Sequence, residues 1–389
     1  MKPTDVQFVI GLSGYFVKDL EAVRRSPAYD PLRDDIPPCT PGFRSVVQAG
    51  QVISIILHLP CGGIAVGDSV DVIFSGAASR DPLFMAEEHL PVLESVVKPW
   101  LLSCDLSHFR HNAERVDLPW TELHGRRLHS AIRYGLTQAL LAATALAQRR
   151  TIAEVICHEW SLGSIADRPV DILASCHRND ALQLDRMIMK KAPMLPHASF
   201  VHASDIGPHG MVLMDYVDTV ARRIRQRAPP GYHPRLHFDV YGTLGDVFPE
   251  TTRLADFLGR LPALRACLKR KSIDVRIVAD EWCNTLPDIR DFADADAVDY
   301  VQIKMPDLGG VDQSIDAVLY CQGKGIGCCL GGSANETDVS ARITAQVALA
   351  TRPDFLLSKP GIGADEGLMI LTNEMLRGIA LAKRAHCKL

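Results

Sequence analysis

The pitch of the apolar runs in the second half of the chain is its tightest constraint. Short β-rich runs begin at Val275, Tyr300, Ile326 and Phe355, steps of 25, 26 and 29 residues, and helical stretches fill the intervals. Strand and helix alternating at this pitch predict a parallel sheet with helical crossovers, a (β/α) barrel of TIM type. Runs at 170–174, 186–189 and 235–240 extend the pattern upstream and bring the expected strands to seven.

The first 165 residues obey a different grammar. The run 52–59 is rich in Ile and Val and stops at Pro60-Cys61-Gly62-Gly63; the run 65–74 follows, which predicts an antiparallel pair. Leu128, Ile132, Leu136, Leu140, Ala143 and Leu146 recur at helical spacing on one face, with Arg149-Arg150 in the last turn suited to the helix dipole. The expected organisation is an N-terminal α+β capping domain, 1–165, and a barrel domain, 166–389.

Composition excludes several classes. With 42 Lys and Arg against 46 Asp and Glu, a net charge of −4 and 47% hydrophobic residues, the chain carries enough apolar material for a large core and no basic excess for nucleic acid or anionic lipid. The 11 cysteines contain no C-x-x-C pair, which argues against a zinc ribbon and suits reduced thiols. No apolar run reaches membrane-spanning length and the N-terminus shows no signal pattern, so a cytoplasmic location and a small-molecule partner are expected.

Active sites of parallel barrels lie at the C-terminal ends of the strands, where three runs place polar groups. His237 and Asp239 share one face of their run; Asp280 ends the next, with Glu281 expected on the opposite side; Gln302 and Lys304 share a face of the third. Asp239 and Asp280 suit a hard divalent cation such as Mg²⁺. A buried Lys304 of lowered pKa suits removal of a proton next to a substrate carboxylate. Taken singly, each aspartate is as well a helix cap or turn residue, and Lys304 a salt-bridging residue at the barrel mouth.

At these residues the chain resembles 3-methylaspartate ammonia-lyase, a family of the enolase superfamily. The resemblance rests on Asp239-Val-Tyr-Gly-Thr243, Val278-Ala-Asp-Glu-Trp-Cys-Asn-Thr285, Val301-Gln-Ile-Lys304, Pro306-Asp-Leu-Gly-Gly310, Asn335-Glu-Thr337 and Lys359-Pro-Gly-Ile-Gly363. Upstream, Thr40-Pro-Gly-Phe43, Ser75-Gly-Ala77, Arg80-Asp-Pro-Leu-Phe84 and Leu195-Pro-His197 also fit, so it spans nearly the whole chain. It implies β-elimination of ammonia from threo-3-methylaspartate to mesaconate. Lys304 would be the base on one face of the substrate and His197 would stand on the other. Gln302 and the Ser333-Ala334 pair would contact carboxylates, Asp239 and Asp280 would bind Mg²⁺, K⁺ would assist, and the enzyme would be a homodimer.

The chain departs from the family pattern in two ways. The family carries a further strand ending Ile-Glu-Gly-Pro between the two aspartates, whose Glu is the third metal ligand; no such segment occurs here. From Arg235 to Val275 the step is 40 residues, and helix-like sequence with Leu254, Phe257, Leu258, Leu261 and Leu264 takes up most of it. The barrel is therefore expected to lack one βα unit, with Glu250 and Asp256 in the shortened link. Substrate positions differ too: Ser175 and Ile73 stand where the family has Gln, and Ser333-Ala334 where it has Thr-Cys. These departures motivate two alternatives, a non-catalytic paralogue and an enzyme acting on a different acid.

Overall fold

The computed structural model describes residues 1–25, 36–240, 243, 254–362 and 364–386. The capping sheet is an antiparallel meander of β1 (Asp5–Lys18), β2 (Val47–His58) and β3 (Ile64–Val70). Ile53, Ile55 and Leu57 are fully buried in β2, and Gly62, at a φ of +78°, makes the turn to β3. β3 stops short of the expected 65–74 because the Asp71 carboxylate folds the chain, accepting from Val72 N at 2.8 Å, Ser75 Oγ at 2.6 Å and Phe84 N at 3.0 Å. The helix Ser130–Gln148 then crosses β3 at close range. A Cβ on Gly67 would meet Gly135 O at 2.2 Å, and one on Gly135 would meet Ser69 Oγ at 2.4 Å. Ile132, Leu136, Leu140 and Ala143 are buried as the periodicity predicts; Leu146 is not, at 43% exposure, because the helix outruns the sheet.

Seven parallel strands follow: β4 (Ile172–Leu173), β5 (Met194–Ser199), β6 (Arg235–Asp239), β7 (Val278–Ala279), β8 (Tyr300–Lys304), β9 (Gly327–Gly331) and β10 (Phe355–Leu357), in the order β6-β5-β4-β10-β9-β8-β7. The count is the expected one, with one strand moved. The run 186–189 belongs to the helix Ala181–Met189, where Asp180 caps Gln183 N at 2.9 Å and Leu184, Met187 and Ile188 face the core. A four-residue run with three apolar residues fits either period, and here the cap decides for helix. The strand itself is β5, which carries His197.

β6 and β7 end the sheet, and among the described residues no strand joins them. The missing βα unit therefore leaves a seam between the strands of Asp239 and Asp280. Glu250 lies outside the described residues, and of Asp256 only the backbone, within the helix Leu254–Arg270, is described. Among the described residues no helix is long and apolar enough to cross a membrane.

Candidate active site

The C-terminal ends of the barrel strands and the capping residues Val72, Ile73 and Phe74 enclose a cavity of about 230 Å³. It brings together eight candidate residues read from the sequence, Ser175, His197, Asp239, Asp280, Gln302, Lys304, Ser333 and Ala334, while His237 is not on its wall. A second cavity, about 250 Å³, lies before β7 and β8 at the opposite end of the barrel. Its Arg265 is bound to Asp299 at 2.8 Å, and none of the candidate residues lines it.

Lys304 closes β8 and is buried. Its Nζ donates to Asp280 O at 2.9 Å and pairs with the Asp280 carboxylate. Asp307 Oδ2 lies 3.9 Å away and also accepts from Arg80 Nε at 3.1 Å. Burial is the largest single influence and would lower Lys304, but Asp280, Asp307 and Glu281 together hold the ammonium above its ordinary value. The lowered pKa expected for a catalytic Lys304 is thus corrected: the salt bridge weighed against that reading is formed, with Asp280. Burial would likewise raise Asp280, and Lys304 and Arg80 bring it below the usual carboxylate value.

Glu281 also lines this cavity, against the expectation that it faces away. β7 is two residues long and ends at Ala279, so strand alternation does not reach residues 280 and 281. Burial, reinforced by the Asp280 and Asp239 carboxylates, pushes the Glu281 carboxyl up to about 8. The Asp239 and Asp280 carboxylates and the Glu281 carboxyl line one cavity and offer only oxygen donors, which suits a hard divalent cation. Among the described residues no three such groups converge closely enough to cage an ion as they stand, Asp280 being engaged by Lys304.

His197 reaches the cavity through an irregularity in β5. The register against β6 shifts between Pro196 and Ala198, and His197 has a φ of +43°. Its Nδ1 lies 3.1 Å from His237 Nδ1. Burial, helped by the Lys304 charge and opposed by Asp280, lowers His197 to about 4, so the ring is neutral at physiological pH. Ser175 Oγ donates to His197 O at 3.5 Å, and Ser199 Oγ to Asp239 Oδ2 at 2.9 Å. Ser333 Oγ accepts from Asn335 N at 3.3 Å, a turn contact, while still lining the cavity.

Sequence reasoning passed over Arg80, Ser199, Glu281, Tyr15, Lys18 and His177, all on the wall. Arg80 was within reach, since it opens the Arg80-Asp-Pro-Leu-Phe84 segment. For Tyr15 and Lys18 the sequence holds no signal, because they reach the wall only where the cap docks on the barrel; His177 was within reach, since it follows β4 two residues after Ser175.

Fold and site define the class: a capped barrel of the enolase type, with lysine and carboxylates at its strand ends. The chain belongs to the methylaspartate ammonia-lyase family. The family's N-terminal profile matches residues 1–161 and its C-terminal profile residues 164–263 and 259–384. Methylaspartate ammonia-lyase 1 of Carboxydothermus hydrogenoformans is 44% identical over 412 residues, covering 99% of this chain and 98% of that protein. The crystal structure of Citrobacter amalonaticus methylaspartate ammonia lyase containing (2S,3S)-3-methylaspartic acid superposes with a TM-score of 0.93 at 40% identity, over 98% of this chain and 100% of that one. The Mg complex of β-methylaspartase from Clostridium tetanomorphum gives 0.91 at 37%, over 99% and 100%. A 412-position alignment against 389 residues leaves at least 23 positions without a counterpart here (412 less 389), as the loss of about one βα unit would.

Proposed function

We propose that this chain catalyses the reversible elimination of ammonia from threo-3-methylaspartate to give mesaconate, with Mg²⁺ as cofactor. The observation that carries the reading is that Lys304, His197, Asp239 and Asp280 enter one cavity, in a chain of this family. Neutral Lys304 takes the proton from C3, the carbon next to the side-chain carboxylate. That electron pair forms the C2–C3 double bond, the C2–N bond breaks and ammonia leaves. His197 stands on the other face and, being neutral, donates a hydrogen bond as charge develops. Gln302, Ser333 and the backbone at Ala334 contact the carboxylates, and Ser175 completes the wall.

Asp239 and Asp280 would hold the divalent cation, with Glu281 as third carboxylate in place of the absent strand's Glu. When bound, the cation supplies positive charge to the substrate carboxylate and to the carboxylates beside Lys304. Glu281 also weighs against a non-catalytic paralogue, whose main motive is the lost ligand. We further propose K⁺ as activator, a homodimer, a cytoplasmic location and a boundary between cap and barrel near residue 165.

Formation of mesaconate, read by the ultraviolet absorbance of the conjugated acid with Mg²⁺ and K⁺ present, tests the reading. Absence of product at every Mg²⁺ concentration, together with no Mg²⁺ binding by calorimetry, overturns it.

A further inference from the structure

Lys18 ends β1, and its backbone N–H donates to Ile73 O at 2.7 Å. The two residues reach the cavity side by side, and both line it. Ile73 offers its ligand no polar atom; Lys18 offers an ammonium. The strand end is fixed by the next residue: the Asp19 carboxylate accepts from Ala22 N at 3.2 Å, Thr40 N at 2.8 Å and Thr40 Oγ1 at 2.7 Å. Lys18 is thus held in place by its backbone.

The cations of the cavity differ in how their charge is met. Lys304 has Asp280, and Arg80 has Asp307. Lys18 is half-buried, its Nζ lies 5.2 Å from the centroid of the Tyr15 ring, and no carboxylate pairs with it among the described residues. Beside it, Tyr15 Oη sits 3.5 Å from His177 Nε2. Burial lowers Lys18 below its ordinary value, and its charge adds to the burial that lowers His177. A partly desolvated ammonium without a counter-charge is unfavourable unless a ligand brings the anion.

We propose that Lys18, with Tyr15 and His177 beside it, is a specificity-determining group that binds one carboxylate of a dicarboxylate substrate from the capping side of the cavity. The inference rests on the reading of this cavity as the substrate site. It makes recognition of the second carboxylate a charged contact next to the apolar Ile73.

Calorimetric titration of wild type, Lys18→Met and Lys18→Arg with mesaconate, a dicarboxylate, and crotonate, a monocarboxylate, tests it. Lys18→Met should weaken mesaconate about tenfold or more and leave crotonate within about twofold, while Lys18→Arg restores most of the loss. In turnover the same variant should raise KM for methylaspartate with kcat little changed. Lys18→Gln, which keeps a polar group and loses the charge, should behave as Lys18→Met and guards against a folding defect in either. Equal weakening of both ligands, no weakening of either, or a wild type that binds neither ligand preferentially overturns the proposal. The two readings fail separately. Mesaconate binding that depends on Lys18 without ammonia release removes the lyase activity alone. Mesaconate formation with unchanged binding in Lys18→Met removes the role of Lys18 alone.

Discussion

His197 and His237 meet Nδ1 to Nδ1 at 3.1 Å across β5 and β6, so one ring donates and the other accepts, and neither bears a second proton. Burial lowers His197 to about 4 and His237 to about 3, with His197 as a further cause at His237. In the unfolded chain both return to about 6.5. Between these values the unfolded state binds protons that the folded state refuses, so stability is full above about pH 6.5 and is lost as pH falls towards 4. The loss should be about 1–3 kcal/mol per ring, read as a falling urea midpoint between pH 7 and pH 4.5. His237→Asn should flatten the slope; an unchanged slope would falsify the neutral pair.

Lys304→Ala should abolish exchange of the substrate's C3 proton and lower kcat by at least about a thousandfold. It should also tighten Mg²⁺ binding, since the ammonium that engages the Asp280 carboxylate is gone. Wild-type exchange in this variant removes Lys304 from its role, and weaker Mg²⁺ binding by calorimetry argues against Asp280 as a ligand.

Glu281→Gln keeps the shape of the side chain and removes the carboxylate that a cation would draw out. If Glu281 stands in for the missing strand's carboxylate, Mg²⁺ affinity should fall by roughly one to two orders of magnitude, as for Asp239→Asn. An affinity within twofold of wild type assigns Glu281 to the wall alone.

Tyr134 from the cap donates to Glu336 at 3.1 Å, and Glu336 pairs with Lys359 at 2.8 Å, both members of the pair being fully buried. Lys359 also donates to Gly331 O at 3.2 Å, at the start of the loop that carries Ser333 and Ala334. Lys359→Met strands the Glu336 charge and should destabilise the chain by about 3–5 kcal/mol. The double variant Lys359→Met, Glu336→Leu should recover much of that in thermal melts. If the single change leaves the melt unmoved, the buried pair does not support the fold.

The barrel was legible because parallel strands covered on both faces read as unbroken apolar runs at a regular pitch. β8 falls where the sequence puts it, at Tyr300–Lys304. β5 was hidden because Pro196 and His197 break its apolar run, while the nearby run 186–189 imitated a strand inside a helix. The eight candidate site residues were chosen from strand ends and family resemblance together, and all of them line one cavity. Glu281 was misplaced because period-two reasoning assumes a strand longer than the two residues of β7. Lys18 was out of reach, since its partners Tyr15, Ile73 and His177 converge only after the cap docks on the barrel.

The seam left by the missing βα unit gives the cation a second task. Asp239 ends one lip of the opening, and Asp280 and Glu281 follow the other. An ion shared between them would act as a clasp, tying by coordination two edges that no backbone ladder joins among the described residues. In this chain chelation should then do more than stop turnover: it should loosen the barrel wall itself, and metal occupancy and mechanical integrity would rise and fall together.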